Sequence, residues 1–120
     1  MSSHAESRAC FYRNLESMAG IAPEAVQAFM GLHQATMAPK ALDTKTKELI
    51  ALAIAIAVHC DICIDCHVHD AIEAGVSREE VADVIAVAIL MGGGPSVAYS
   101  TKVLEAFDEY TGACSGRGGR

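Results

Sequence analysis

Ten consecutive apolar residues, Leu49-Ile50-Ala51-Leu52-Ala53-Ile54-Ala55-Ile56-Ala57-Val58, constrain this chain more than any other stretch. They alternate small and large side chains, which superficially matches the two-residue period of a strand. Composition decides against that reading. Ala is the best helix former and a poor strand former, and it fills every second position from Ala51 to Ala57. On a helix the large residues sort into two stripes, Ile50, Ile54 and Val58 on one side, Leu52 and Ile56 nearly opposite. Such a helix is buried on two sides and therefore central, its second stripe covered by another helix of the chain or by a second copy of it. The run is about half the length that spans a bilayer, so it reads as a core helix and not a membrane segment.

Around it the chain reads as further helices. Residues 5–18 carry Ala9, Tyr12, Leu15 and Met18 near helical spacing, a weakly amphipathic helix expected to end at Gly20. Pro23 suits the first turn of a second helix, in which Val26, Phe29, Met30, His33 and Met37 form an apolar stripe until Pro39. On that stripe His33 reads as a packed, hydrogen-bonded core residue. Asp43 is the expected N-cap of the central helix. A fourth helix from near Asp61 closes at Gly75, and Ser77-Arg78-Glu79-Glu80 is a capping box opening a fifth, with Val81, Val84, Ile85, Ala88 and Ile89 as its buried stripe. Gly92-Gly93-Gly94 breaks that helix, matching no phosphate-binding loop, and Pro95 opens a last one through Val97, Thr101, Leu104 and Phe107. The expected fold class is all-α: a compact bundle of about six helices in one domain over residues 1–111, with 112–120 a loose tail.

Composition limits the function classes. A formal charge of −6 without a Lys/Arg patch argues against nucleic acid and anionic membranes as partners. The five cysteines lack the regular framework of a small secreted scaffold, and Met-Ser-Ser-His-Ala-Glu has no signal-peptide character, so a reducing cytoplasm is the expected compartment.

The chemistry is concentrated after the central run. His59-Cys60-Asp61-Ile62-Cys63-Ile64-Asp65-Cys66-His67-Val68-His69-Asp70 holds three of the five cysteines and three of the five histidines. Cys60, Cys63 and His67 fall within roughly 60° of one another on a helix and share a face. Cys66 is expected to point well away from it and His69 nearly opposite. A C-x-x-C at a helix start has a physical consequence: free N–H groups and the helix dipole stabilise a thiolate, and the short spacing lets a disulfide close and reopen. His67, one turn beyond Cys63, can exchange a proton with a thiol on the same face. Glu48 lies at the lip of the apolar run. It either faces solvent in the first turn or is buried against a partner, and packing against His67 would complete a proton relay. Three readings follow: redox chemistry at Cys60 and Cys63; a metal site drawing on Cys60, Cys63 and some of Cys66, His67 and His69; or buried cysteines acting as small apolar residues. Cys10 and Cys114, each alone near an end, read as spectators.

Glu48, then Cys60-x-x-Cys63-x-x-x-His67 followed by Ala71 and Ala74-Gly75, resembles the core motif of the alkylhydroperoxidase D-like branch of the carboxymuconolactone decarboxylase family, over about residues 40–110. The resemblance implies an all-helical fold that self-assembles, often as trimers or hexamers. It implies thiol-dependent reduction of hydroperoxides at the expense of a thiol or dithiol reductant, with Cys63 as peroxidatic thiol, Cys60 as resolving thiol, and His67 and Glu48 as the proton relay. No haem, flavin or other cofactor is implied. Ile62 stands where the peroxidase type carries a further histidine. The family's decarboxylase branch, which acts on a muconolactone, characteristically lacks the cysteine pair and ranks second, beside a non-enzymatic redox-sensing or metal-binding module.

Overall fold

The computed structural model describes residues 3–112; of the expected tail only Gly112, the C-cap of the last helix, is among them, and the rest, with Cys114, lies outside. Six helices follow one another: α1 (His4–Ile21), α2 (Pro23–Met37), α3 (Thr44–Ala57), α4 (Asp61–Glu73), α5 (Arg78–Gly92) and α6 (Gly94–Thr111). No strand occurs among the described residues. The boundaries have local causes. Asp43 caps α3 by accepting from the Thr46 N–H at 2.8 Å, and Ser77 with Glu80 closes a capping box on α5. Ser3 and Glu6 form a second capping box on α1. That helix runs through Gly20 to Ile21, and the break comes at Pro23, the start of α2. A helical glycine costs only about 1 kcal/mol, whereas proline removes the donor the helix needs. Gly93 alone separates α5 from α6, at φ 72°, ψ −150°, a backbone region that only glycine enters cheaply.

Helices α3 to α6 form the packed body. α3 lies against α4 and α5, α4 also against α6, and α5 against α6. Leu52, Ile56, Ile64, Val68, Val81 and Val103 are fully buried there, each contributing about 1.5–3 kcal/mol by leaving water. The Arg78 guanidinium donates to both oxygens of buried Asp108 at 3.0 and 3.1 Å, tying the start of α5 to the end of α6. The two stripes of α3 meet different fates. Leu52 and Ile56 are in the core, whereas Ile50, Ile54 and Val58 are exposed on the outside of the chain. On α6 the buried face is Ser96, Ser100, Val103 and Phe107, one position round from Val97 and Thr101, which are exposed. The small Ser96 side chain faces Gly92, where a Cβ would overlap its Oγ.

α1 and α2 form an outer pair, with α1 packed on α4 and α2 leaning on α1. No residue of α1 is fully buried, and only Val26 is in α2. Polar contacts at one end hold α1 down. Glu109 accepts from the His4 and Ala5 backbone N–H groups at 3.0 and 2.9 Å. The His4 ring bonds through Nδ1 to Asp65 of α4 and through Nε2 to Glu105 of α6, the latter at 2.7 Å.

Candidate active site

The turn between α3 and α4 places the cysteines. His59 takes a left-handed backbone, φ 60°, with its ring stacked on Tyr99 at 4.6 Å. The chain then re-enters a helix with Cys60 as N-cap, its sulfur accepting from the Cys63 N–H at 3.2 Å. Cys60 and Cys63 are joined in a disulfide across a Cα–Cα separation of 5.2 Å. Both sulfurs therefore sit at the positive end of α4, where a thiolate released by reduction is stabilised.

Glu48, just past the first turn of α3, is 4 % exposed, so the solvent-facing alternative does not hold. Its Oε1 lies 2.9 Å from His67 Nδ1. A carboxylate only accepts, so Nδ1 donates and Nε2 is the basic nitrogen of the neutral ring. The hydrogen bond to Glu48 raises the His67 pKa above its usual value; burial pulls the other way, and the charges of Glu48 and Asp70 add to the rise. The structure thus brings together four residues singled out from the sequence: the Cys60–Cys63 pair at the head of α4, and Glu48 with His67 one turn along.

A cavity of about 170 Å³ opens over this face. α4 forms its floor with Ile62, Cys63, Cys66, His67 and Asp70, and α1 and α2 wall it with mainly aromatic and aliphatic side chains. Cys63 lines it and Cys60 does not, so the two sulfurs are inequivalent towards a molecule entering from this side.

Two sequence readings change here. Cys66 is not turned away: it lines the same cavity as Cys63. The opening between α1 and α2 is wider than the stripe of Cys60, Cys63 and His67, so a residue about 60° round from Cys63 still reaches it. Burial pushes the Cys66 thiol up to about 11, leaving it protonated and a poor nucleophile at neutral pH. His33 is not a hydrogen-bonded core residue. It is half-buried, lines the cavity from α2, and its ring lies 6.3 Å from that of His67 with the planes 27° apart. The apolar stripe of α2 faces a cavity and not a filled core, a distinction that helical spacing does not carry. His69 does point elsewhere, edge-on to Tyr110 at 5.4 Å.

Among the described residues, Glu48, His67 and Asp70 each offer a ligand atom within 4.8 Å of the others, a set able to hold a cation. It differs from the cysteine-based set weighed from the sequence, of which Cys60 and Cys63 are bonded to each other. No helix among these residues is long and apolar enough to cross a membrane.

Comparison with known proteins agrees with this architecture. Residues 23–106 match the model of the carboxymuconolactone decarboxylase family. An uncharacterized protein of Cupriavidus necator is 41% identical over 86 residues, covering 72% of this chain and 76% of that one. The crystal structure of a carboxymuconolactone decarboxylase family protein from Legionella pneumophila superposes with a TM-score of 0.87 at 37% identity, covering 89% of this chain and 96% of that one. The alkyl hydroperoxide reductase AhpD of Coxiella burnetii is 36% identical over 52 residues, 43% of this chain but 29% of that protein.

Proposed function

The chain belongs to the carboxymuconolactone decarboxylase family, and on that premise we propose that it is a thiol-dependent peroxidase. It reduces hydroperoxides through Cys63 and Cys60 and is recycled by a thiol or dithiol reductant. The observation that carries this reading is the buried Glu48–His67 pair one turn along α4 from a C-x-x-C disulfide, at the floor of an apolar cavity.

In the reduced protein, His67 Nε2 takes the Cys63 proton while Glu48 orients the ring and stabilises its protonated form. The Cys63 thiolate attacks the terminal oxygen of the hydroperoxide. An S–O bond forms, the O–O bond breaks, and Cys63 becomes a sulfenic acid, oxidised by two electrons, as the hydroperoxide becomes an alcohol. Cys60 then attacks the Cys63 sulfur, the S–S bond forms, and the departing hydroxide takes a proton to leave as water. An external dithiol reduces the disulfide by exchange; Cys60, hydrogen-bonded at the helix N-terminus, is a good leaving sulfur. The similarity of residues 40–110 to the hydroperoxidase-like branch supports these roles, as does the match to AhpD over 52 residues. Decarboxylation of a carboxylated lactone is less well served, because no Lys or Arg lines the cavity to receive a carboxylate.

Self-association and a reducing, cytoplasmic setting belong to the same reading. Ile50, Ile54 and Val58 on α3, with Leu90 and Met91 on α5, leave more apolar surface exposed than a solitary helical bundle needs. A trimer or hexamer covering that stripe is the expected assembly. The test is steady-state consumption of an alkyl hydroperoxide with a dithiol reductant. Cys63→Ser is expected to abolish turnover, and equal rates for parent and variant would overturn the proposal.

A further inference from the structure

Resting on the peroxidase reading above, we propose that His33 is the catalytic acid that protonates the alkoxide released when the O–O bond breaks. Displacement at oxygen runs in line: the attacking sulfur, the terminal oxygen and the leaving oxygen align, so the leaving oxygen departs on the side away from Cys63. Cys63 is on the α4 floor, and that side is the wall built by α1 and α2. Most of what this wall offers is apolar, including Phe11, Leu15, Phe29 and Met30; its polar side chains are Tyr12 and His33. Tyr12 is engaged already: the Arg8 guanidinium lies over its ring, 5.0 Å from the centroid, and its side chain bonds to Cys66.

His33 is placed differently. Among the described residues its ring meets that of His67, 6.3 Å away between centroids and 27° from parallel. The two imidazoles, one on the floor and one on the wall, border the same cavity, so a hydroperoxide held there meets both. Each then has a separate proton to handle. His67 removes the thiol proton before attack, and His33 supplies a proton to the leaving oxygen after it. The sulfur lone pair forms the S–O bond, and the O–O pair leaves on RO⁻, which takes the His33 proton and departs as ROH. The terminal oxygen keeps its own hydrogen in the sulfenic acid; His67 releases the thiol proton to solvent and solvent returns one to His33, so the proton count closes. A general acid so positioned is worth about 10²–10⁴ in rate.

The experiment varies the leaving group. Reduced full-length protein, His33→Phe and His33→Gln are each mixed with cumene hydroperoxide or with peracetic acid, and Cys63 oxidation is followed in single turnover. The alkoxide needs a proton in order to leave and the carboxylate does not. Both variants are expected to lose about 10²-fold with cumene hydroperoxide and less than about 3-fold with peracetic acid, while melting like the parent. Equal losses with both oxidants would mark a packing role and overturn the inference, as would full rescue by His33→Gln or no loss with cumene hydroperoxide. A parent protein that consumes neither oxidant would overturn the peroxidase reading itself, and His33 with it.

Discussion

Two histidine–carboxylate pairs join α4 to neighbouring helices, and they make an instructive contrast. In one, Glu48 of α3 holds His67 of α4; in the other, Asp65 of α4 holds His4 at the start of α1. Both histidines titrate above their usual range. For His67 the Glu48 hydrogen bond is the largest cause. For His4 burial is the largest influence and depresses the value, but the bonds and charges of Asp65 and Glu105 together outweigh it. The difference lies in what remains. His67, which lines the cavity, uses Nδ1 on Glu48 and keeps Nε2 off any carboxylate bond, whereas His4 spends both nitrogens on carboxylates. The same chemical pair is therefore equipped for the proposed proton relay where one nitrogen stays free, and is a fastening where none does.

The largest effect that tests this contrast is on rate. His67→Gln is expected to lower peroxide turnover by about 10²–10³, while His4→Gln keeps it within about 3-fold; comparable losses would erase the distinction. The second is on stability and runs in the opposite order. His4→Leu strands the buried Asp65 carboxylate and should lower the unfolding free energy in urea by about 2–4 kcal/mol, against about 1 kcal/mol for His67→Gln. Protease nicking within α1 should rise in the same variant, since only the backbone bonds to Glu109 then hold its N-terminus.

How much of this was legible from residue order alone follows from the range of each interaction. Asp43, Ser77, Pro23 and the glycine break act within four residues, and the helix boundaries follow from them. The face shared by Cys60, Cys63 and His67 is likewise a property of one helix. Glu48 stayed undecided because its partner is 19 residues away on another helix, and only the α3–α4 packing settles its burial. The His4 fastening joins residues 61 and 101 positions apart. Its single local trace is the Ser3-His4-Ala5-Glu6 capping pattern, which marks a helix start but not its docking. His33 and Cys66 were misplaced for one reason: the cavity is bounded by three helices, and no single helical wheel shows it.

A third, smaller effect is the pH dependence of the Glu48–His67 pair. Because the folded value of His67 lies above 6.5, its stabilisation is fully present below the unfolded value and is lost as pH rises through the folded one. The stability gap between the parent and Glu48→Gln should therefore be about 1–2 kcal/mol near pH 6 and shrink towards pH 9. In the His4 pair both values are raised: the His4 contribution is present below its unfolded value and lost as pH rises through the folded one, and Asp65, where burial outweighs the His4 bond, adds no stability that acidification would remove. Smallest of all is Cys66→Ala, expected to change turnover by less than about 2-fold, because a thiol pushed up to about 11 supplies almost no thiolate at neutral pH. A large loss would make Cys66 a participant and narrow the difference between the two cavity thiols.

The most direct test of the central claim is the fate of the peroxide oxygen in Cys60→Ser. Without a resolving thiol, one equivalent of alkyl hydroperoxide should leave a single added oxygen on Cys63, trapped by a sulfenic-acid reagent and located by peptide mass, at the rate at which the peroxide disappears. Oxygen on Cys66 or Cys10 instead, or an intact Cys63 beside unconsumed peroxide, would contradict the account.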